Sequence, residues 1–333
     1  RLIEGDELPV KKIEIAQFGG SETLQLVDAP TPTPTGTQLL VKVAAAGVNF
    51  VDIYQRNGNP VYGMTTPYTP GMEGAGVVEA VGSDVATIKV GDRVAWTWAL
   101  GSYSEYAIVE EAKAAIVPPG LELEEVAAFM LQGITGHYLT NSTYEIRPGD
   151  VALVHAAAGG TGSLLAQLIL LKGGTVIGTT STEAKEATVR ALGVQHVIRY
   201  DKEDFVAEVK KITGGRGVDV VYDGVGAKTF DQSLLCLKPR GMMVLFGAAS
   251  GAVPPFEIMR LTSSGSLFLT RPTLAHYVAD AAEFKGRCDA IFGLLLSGKI
   301  SVRIDKRYPL GDARAAHDDL ASGKTSGKLI LVP

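Results

Sequence analysis

The chain has 333 residues and a formal net charge of -5, and its composition is 46% hydrophobic and 20% charged, with 39 glycines. This length suits two domains of ordinary size, and the composition excludes a mainly disordered, collagenous or coiled-coil protein. The acidic balance argues against a nucleic acid as the principal partner, because no basic field covers the whole molecule.

The sequence offers no membrane or secretion signal. No segment reaches the roughly 18 uninterrupted apolar residues of a membrane helix, and the first residues lack the layout of a signal peptide. The two cysteines, Cys236 and Cys288, show no spacing that indicates a disulfide framework or a thiolate metal site. We therefore expect a protein of the reducing cytoplasm.

The first half of the chain predicts a mainly antiparallel β region between Leu39 and about Val117. Its strands are short and β-branched, and turns of glycine, proline and aspartate separate them. A proline-rich connector at 29–34 precedes the strands, because proline lacks a backbone donor and favours an extended chain. The predicted strands are 39–43, 76–81, 93–96 and 106–109.

From Gly149 onward, strands alternate with segments of helix length. Such near-continuous apolar strands predict a parallel sheet covered on both faces, which is a Rossmann-type doubly wound α/β unit that binds ligands beyond the carboxyl ends of its strands. A helix is predicted at about 162–172 and another at 275–297. A last strand, 328–332, follows the complete unit, and its simplest place is in the first domain. The strands predicted for the unit are 151–156, 175–179, 196–200, 218–222, 242–246 and 267–269.

A run of small residues, 155–162, joins the first of these strands to its helix. Ala157, Gly159 and Gly162 hold the positions of a G-x-G-x-x-G fingerprint, which lets the backbone approach a pyrophosphate and leaves helix N-terminal amides for its oxygens. The alternative is a turn that only packs helix against strand. We expect a dinucleotide here, with its phosphates at Ala158, Gly159, Gly160, Thr161 and Gly162.

The end of the second strand predicts which dinucleotide is bound. NAD enzymes place an acidic residue there, roughly 20 residues after the glycines, but this chain has Thr179, Thr180, Ser181 and Thr182. With Lys185 one helical turn beyond, the segment offers hydroxyl donors and a positive charge to a 2'-phosphate. The sequence therefore favours NADPH. In the alternative interpretation, Ser181 or Thr182 only caps the next helix.

Several motifs along nearly the whole chain resemble one family. They are Gly47-Val48-Asn49-Phe50-Val51-Asp52, Gly71-Met72-Glu73-Gly74-Ala75-Gly76, Val90-Gly91-Asp92-Arg93-Val94, the run from Gly149 to Gln167, Tyr222-Asp223-Gly224-Val225-Gly226, Phe246-Gly247 and Thr270-Arg271-Pro272. The sequence is similar to the quinone oxidoreductase and zeta-crystallin branch of the medium-chain dehydrogenase/reductases.

This resemblance implies a GroES-like β domain made from residues 1–134 and 271–333, and a Rossmann NADPH-binding domain at 135–270. It also implies a homodimer formed through the edge of the Rossmann sheet. The nicotinamide side of the cofactor would be lined by Asn49, Tyr54, Tyr62, Gln132 and Thr135. The remaining cofactor contacts implied are Lys185 and Tyr200 at the adenine-ribose phosphate, and Phe246, Gly247, Ala248, Ser250, Leu269 and Arg271 over the cofactor.

The residues at the expected metal position indicate the substrate class. Metal-binding relatives would carry cysteine and histidine where this chain has Asn49 and Met72, so we expect no metal. Without zinc, suitable acceptors are quinones or conjugated carbonyls, which spread incoming negative charge themselves and need only a hydrogen-bond donor. Tyr54 and Tyr62 are candidate donors, with Asn49 as an orienting group. Both tyrosines could instead only pack a loop.

Two other functions remain open at this point. An NADPH-dependent alkenal or enone double-bond reductase would use the same fold and cofactor with a differently shaped pocket. A non-catalytic role, as a crystallin-like protein or a binder of AU-rich RNA, follows only from the family resemblance, and the acidic balance argues against strong RNA binding.

Overall fold

The structure, a computed structural model, describes residues 9–333. These residues form two compact units. The first runs to Leu131 and includes Val278–Leu296 and Val302–Pro333, and the second contains Gln132–Tyr277 and Ser297–Ser301.

The regular elements follow one another along the described chain. The strands are β1 Val10–Glu14, β2 Gln25–Ala29, β3 Gln38–Val48, β4 Glu73–Val81, β5 Arg93–Thr97, β6 Tyr106–Glu110, β7 Ala114–Ile116, β8 Val151–Val154, β9 Thr175–Thr180, β10 His196–Arg199, β11 Val218–Asp223, β12 Leu237–Leu245, β13 Phe268–Thr270, β14 Ile304–Pro309 and β15 Lys328–Val332. The α-helices are α1 Phe50–Arg56, α2 Leu123–Ala127, α3 Met130–Tyr138, α4 Gly160–Leu171, α5 Glu183–Ala191, α6 Phe205–Ile212, α7 Phe230–Cys236, α8 Met259–Ser263, α9 Leu274–Tyr277, α10 Ala281–Leu296 and α11 Ala313–Ala321.

The first unit is built on a mainly antiparallel seven-stranded sheet. Its order is β14-β15-β3-β4-β5-β7, with β6 also paired to β3. The four strands predicted between Leu39 and Val117 all lie within observed strands, which confirms the antiparallel β region. The last strand, β15, pairs antiparallel with β3, so its predicted place in the first unit is also correct. Alternate residues of β3, such as Leu39 and Val41, are fully buried, and they form the core with Val94 and Trp96.

The second unit contains a six-stranded sheet with the order β10-β9-β8-β11-β12-β13. Every neighbouring pair in it is parallel. Numbered from β8, this is the order 3-2-1-4-5-6 of a dinucleotide-binding Rossmann fold, which confirms the predicted class. Leu153, Ile177 and Val221 on its central strands are completely buried, as a sheet covered on both faces requires.

Two local predictions differ from the structure. The helix predicted at 275–297 is interrupted between Tyr277 and Ala281, because Asp280 starts a new helix by accepting a hydrogen bond from the backbone N–H of Glu283 at 2.8 Å. The antiparallel pair β1 and β2 was not predicted, and it precedes an irregular segment that agrees with the predicted connector at 29–34.

The helices and the two cysteines can be compared with the expectations from composition. Among residues 9–333, no helix is both long and apolar enough to cross a bilayer. Cys236 and Cys288 are buried free thiols, as expected from their spacing. Burial raises the pKa of both thiols, that of Cys236 to about 12, so neither is a reactive thiolate near neutral pH.

Candidate active site

Most of the predicted cofactor residues lie where strands of the parallel sheet end. Because these strands are parallel, their carboxyl ends meet at one edge of the sheet, and that edge is where doubly wound sheets bind ligands. The structure brings these residues together there in five groups: Ala158–Gly162 follow β8, Thr180 ends β9 and Ser181 follows it, Tyr200 follows β10, Phe246–Ser250 follow β12, and Leu269 lies in β13 with Arg271 after it.

The turn after β8 leaves helix α4 with unused backbone donors. The Gly159 N–H donates to Ala156 O at 2.8 Å, and the Ser163 N–H donates to Gly159 O at 2.9 Å. Between them, the N–H groups of residues 160–162 have no acceptor within the described part of the chain. Three neighbouring amides at the positive end of a helix of 12 residues are suited to bind a diphosphate.

Two glycines keep this turn open. A Cβ atom on Gly162 would lie 2.3 Å from Ala156 O, so only glycine fits beneath the turn. A Cβ atom on Gly160 would lie 2.0 Å from Oε1 of Gln132, which is buried and has no hydrogen-bond partner. The turn, its amides and this orphaned amide oxygen therefore fit a dinucleotide. Gln132 and Thr135, both predicted at the nicotinamide side, lie one turn apart on α3.

His155, just before the turn, is a structural residue. Its Nδ1 lies 3.0 Å from Thr179 Oγ1, and its Nε2 lies 2.8 Å from Ser233 Oγ. Since Ser233 Oγ donates to Asp223 Oδ2, Nε2 must carry the proton and donate to Ser233. Burial lowers the pKa of His155 in spite of the nearby charge of Asp223, so the ring stays neutral. His155 is therefore a core histidine whose two ring nitrogens are both hydrogen-bonded.

The end of β9 carries hydroxyl groups and no acid. Thr180 Oγ1 is buried without a hydrogen-bond partner, and the Tyr200 N–H donates to Thr180 O at 3.2 Å. Thr182 caps α5 by accepting the Lys185 N–H at 3.3 Å, so the capping interpretation is correct for Thr182. This cap uses only the backbone N–H of Lys185. Contact of the Lys185 ammonium group and of the Ser181 hydroxyl with a 2'-phosphate stays a prediction.

The loops after β11 and β12 are bonded to each other. The Phe246 N–H donates to Asp223 O at 2.9 Å, and Ser250 uses both its N–H and its Oγ to donate to Val225 O. The predicted residues Gly247 and Ala248 lie in this loop. The hydroxyl proton of Ser250 is thus used by the protein, and a cofactor would meet mainly the backbone and the Phe246 ring. Arg271 NH1 donates to Pro272 O at 3.0 Å.

In the first unit, Asn49 belongs to a buried polar cluster. It follows β3 and precedes α1, and its side-chain Nδ2 donates to Glu73 Oε1 at 2.7 Å. Lys328 Nζ donates to Asn49 Oδ1 at 2.6 Å and forms an ion pair with Glu73 Oε1. The Leu131 N–H donates to Glu73 Oε2 at 2.6 Å. The Asn49 side-chain oxygen, both Glu73 carboxylate oxygens and the Lys328 ammonium group therefore all have hydrogen-bond partners inside the protein.

A second buried chain of hydrogen bonds supports the backbone of Asn49. Asp52 Oδ2 accepts the Asn49 N–H at 2.8 Å and the Tyr103 hydroxyl at 3.0 Å. Arg56 can only donate to His317 Nδ1, so His317 Nε2 carries the proton and donates to Tyr103. Burial raises the pKa of Asp52 to about 7 and lowers that of His317 to about 3.

The two candidate tyrosine donors lie in one row of rings. Tyr54 of α1 stacks on Tyr62 with ring centroids 6.2 Å apart and planes 20° apart, and the ring centroid of Phe50 also lies 6.2 Å from that of Tyr54. Both tyrosines are half-buried. The structure therefore brings Tyr62 together with Tyr54 and Phe50, two residues of the helix that Asn49 precedes.

The position expected for a metal ligand carries a thioether. Met72 is buried, and its Sδ accepts a hydrogen bond from Gln55 Nε2 at 3.4 Å. Across residues 9–333, no three histidine, cysteine, aspartate or glutamate side chains form a group that could hold a metal ion. At the two positions where metal-binding relatives would carry ligands, Asn49 is therefore bonded to Glu73 and Met72 to Gln55.

The sequence interpretation assigned no role to Glu73, Lys328, Asp52, Tyr103 or His317. One signal could have identified the first two: a charged residue at the end of an apolar, buried strand must find a partner, because unpaired burial of a charge is very costly. Glu73 opens β4 and Lys328 opens β15. Tyr103 and His317 carry no comparable signal in the sequence.

Comparison with known proteins agrees with this architecture. Residues 35–119 match the family of the alcohol dehydrogenase GroES-like domain, and residues 160–284 match the family described as zinc-binding dehydrogenase. The chain is 42% identical over 325 residues to the quinone oxidoreductase of Pseudomonas aeruginosa, covering 97% of this chain and 99% of that one. It is 40% identical over 325 residues to the 2-haloacrylate reductase of a Burkholderia species, covering 96% and 98%. The solved structure of Escherichia coli quinone oxidoreductase complexed with NADPH superimposes with a TM-score of 0.94 at 41% identity, covering 97% of this chain and all of that one.

Proposed function

Because the chain belongs to the quinone oxidoreductase family of the medium-chain dehydrogenase/reductases, we propose that it is an NADPH-dependent quinone oxidoreductase. The observation that carries this proposal is the row of three amides at the start of α4, which have no acceptor among the described residues. The sequence interpretation, the topology and the relatives all favour the same cofactor site.

The choice of NADPH over NADH rests on the end of β9. Thr180 Oγ1 lacks a partner, Ser181 follows, and Lys185 lies in the first turn of α5. Hydroxyl donors and an ammonium group favour a 2'-phosphate, whereas the acidic residue typical of NAD enzymes would repel it. Tyr200, beside Thr180 across the sheet, would bound the same end of the cofactor.

The acceptor would be reduced without a metal. When bound, NADPH supplies the hydride or electrons, and a quinone spreads the resulting negative charge over its own ring. The protein then needs only a donor to the quinone oxygen, a role we assign to Tyr54 or Tyr62, with Asn49 orienting the ligand. The phenolic O–H of either tyrosine can donate this hydrogen bond, and solvent would supply the proton.

A second activity has its own support. The 2-haloacrylate reductase is almost as similar to this chain as the quinone oxidoreductase of Pseudomonas aeruginosa is, so reduction of a conjugated double bond is the alternative. We would measure NADPH oxidation with ortho- and para-quinones, short enals and 2-haloacrylate, each with and without a chelator. We expect quinones to be the faster acceptors and the chelator to have no effect. Faster turnover of enals or haloacrylate by an order of magnitude would favour the alternative, and inhibition by the chelator would contradict a metal-free reaction.

The remaining expectations also stay proposals. We assign residues 1–134 and 271–333 to the catalytic domain and 135–270 to the cofactor domain. We also propose a homodimer joined through β13, which ends the parallel sheet and carries Phe268 with 57% of its surface exposed. Sedimentation of Phe268→Asp beside the unmodified protein tests the dimer. A cytoplasmic location is consistent with the two buried free thiols.

A further inference from the structure

The cluster of Asn49, Glu73 and Lys328 buries two opposite charges completely. Lys328 is 1% exposed, Glu73 is 0% exposed and Asn49 is 4% exposed. Three strand ends bring them together, because β3 pairs with both β4 and β15. A Cβ atom on Gly47 would lie 2.1 Å from Glu73 Oε1, so the carboxylate occupies the space that this glycine leaves.

Stability alone does not account for such a pair. Removing two ions from water costs several kcal/mol for each, and replacing a buried ion pair by apolar residues of similar volume is often neutral or stabilising. The cluster also satisfies its polar groups unusually fully: Glu73 accepts three hydrogen bonds, from Asn49 Nδ2, Lys328 Nζ and the Leu131 N–H. A role in organising its neighbours is the better explanation.

The two charges fix which way the Asn49 amide faces. Lys328 is a donor only, so it must meet Oδ1, and the Glu73 carboxylate is an acceptor only, so it must meet Nδ2. Rotating the amide by half a turn would place donor against donor and acceptor against acceptor, each next to a full charge. One hydrogen of Asn49 Nδ2 remains for another partner.

Glu73 also reaches the helix that carries two other predicted site residues. Its Oε2 accepts the Leu131 N–H in the first turn of α3, where a carboxylate complements the helix dipole. Gln132 and Thr135 follow on the same helix. One carboxylate therefore holds both the Asn49 amide and the start of α3.

We propose that Lys328 and Glu73 are positioning residues that hold the Asn49 carboxamide in one orientation, so that its remaining N–H is a fixed donor to a carbonyl oxygen of the bound cofactor or acceptor. The inference rests on the proposed function, since it gives Asn49 its ligand. The carbonyl belongs either to the nicotinamide carboxamide or to the quinone. In the first case the Kd for NADPH changes, and in the second case kcat and KM for the quinone change at an unaltered Kd.

The test compares Lys328→Met and Glu73→Gln with a matched control and a conservative variant. Lys306→Met removes a lysine whose ion pair with Asp319 is largely exposed, and Lys328→Arg keeps the charge. We expect Lys328→Met and Glu73→Gln to weaken either NADPH binding or kcat/KM for a simple para-quinone about tenfold, which corresponds to loss of one hydrogen bond. Lys306→Met should leave both unchanged, and Lys328→Arg should recover part of the loss.

The orientation of the Asn49 amide can also be followed by NMR, which does not require the protein to catalyse the proposed reaction. In the cofactor-free protein, the side-chain amide of Asn49 should give one sharp pair of ¹⁵N–¹H signals, identified by their absence in Asn49→Ala. We expect these signals to broaden or shift in Lys328→Met, and to move in the unmodified protein when NADPH or the quinone is added.

Three results would overturn the inference. Folded Lys328→Met and Glu73→Gln with unchanged Kd, kcat and KM would do so, as would Lys306→Met with the same losses as Lys328→Met. If the charge variants unfold in urea too readily to assay, the unmodified protein decides: an Asn49 amide signal that neither NADPH nor the quinone moves refutes a donor role. Absence of quinone reduction by the unmodified protein would instead contradict only the proposed function.

Discussion

Replacing Gly162 by alanine tests the phosphate-binding turn most directly. The new Cβ atom would lie 2.3 Å from Ala156 O and 3.0 Å from both the carbonyl carbon of Ala156 and the Cα atom of Ala157. All three are backbone atoms, so no side-chain rotation relieves the overlap. Ala156 already has φ of 50°, in the left-handed region that residues other than glycine rarely adopt. The turn must therefore move by roughly 1 Å to restore ordinary contact distances.

The expected magnitude follows from two contributions. Overpacking of this kind costs about 1–3 kcal/mol of folding stability. A turn that moves also displaces the amides of residues 160–162, and each hydrogen bond to a charged phosphate is worth about 1.5–3 kcal/mol. Loss of one such bond corresponds to a Kd for NADPH about 10- to 100-fold higher. NADH should lose affinity to the same extent, because both dinucleotides share the diphosphate.

Gly160→Ala provides an informative companion. The three atoms nearest to its Cβ atom would all belong to the end of the Gln132 side chain, with Oε1 at 2.0 Å, and that end can rotate away. We expect a smaller loss of affinity than for Gly162→Ala. If the loss is steric, the double variant Gln132→Ala with Gly160→Ala should bind NADPH better than Gly160→Ala alone, and a double-mutant cycle measures this coupling.

The assay is a fluorescence titration with NADPH and with NADH, beside urea unfolding of the cofactor-free proteins. Gly286→Ala is the matched control, since Gly286 lies within α10, has no atom within 4 Å of an added Cβ and needs no positive φ. Alanine there should leave the Kd unchanged and should slightly stabilise the helix. Binding by Gly162→Ala within twofold of the unmodified protein, at equal stability, would refute the proposed diphosphate site.

Three further variants test charge. Lys185→Ala should weaken NADPH binding with little effect on NADH, measured as the ratio of the two Kd values, and equal losses would contradict a 2'-phosphate contact. Burial alone would raise the pKa of Asp219, but hydrogen bonds from Arg216 and Lys238 outweigh it and lower this pKa to about 2. The stability advantage of the unmodified protein over Asp219→Asn in urea should therefore fall by about 1–2 kcal/mol as the pH drops from 5 to 2, and a constant difference would contradict the shift. Burial raises the pKa of Asp52 to about 7, so the same comparison with Asp52→Asn should show the unmodified protein losing stability as the pH rises from 4 to 7, by at most about 1.4 kcal/mol for each pH unit.

The dinucleotide half of the molecule could be predicted from the sequence because its signals are local. A strand, a turn of small residues and a helix follow one another within 151–171, and the parallel order of the sheet then brings the other strand ends to the same edge. Helix α4 begins at Gly160, two residues before the predicted start at Gly162. Glycine is a poor helix former, so a periodicity argument starts the helix too late.

The polar clusters around Asn49 could not be predicted in the same way. Lys328 and Glu73 are 255 residues apart in the chain, and Tyr103 and His317 are 214 apart. Sequence patterns report neighbours within a helix turn or a strand, whereas these contacts depend on which strands pair in the sheet. The interruption of the helix predicted at 275–297 differs in kind, because Asp280 is a local capping signal that the apolar periodicity obscured.

Cofactor and acceptor recognition therefore depend on different kinds of groups. The proposed diphosphate site uses backbone amides and two close glycine contacts, so many side chains around it could change without loss of the cofactor. The proposed acceptor site uses the side chains of Asn49, Tyr54 and Tyr62, where single substitutions alter shape and hydrogen bonding. This difference explains how a quinone oxidoreductase and a 2-haloacrylate reductase can be 42% and 40% identical to one chain. The percentage of identical residues reflects mainly the fold that these enzymes share, whereas the preference for one acceptor would depend on a few side chains. Measured turnover therefore has to decide between the two activities.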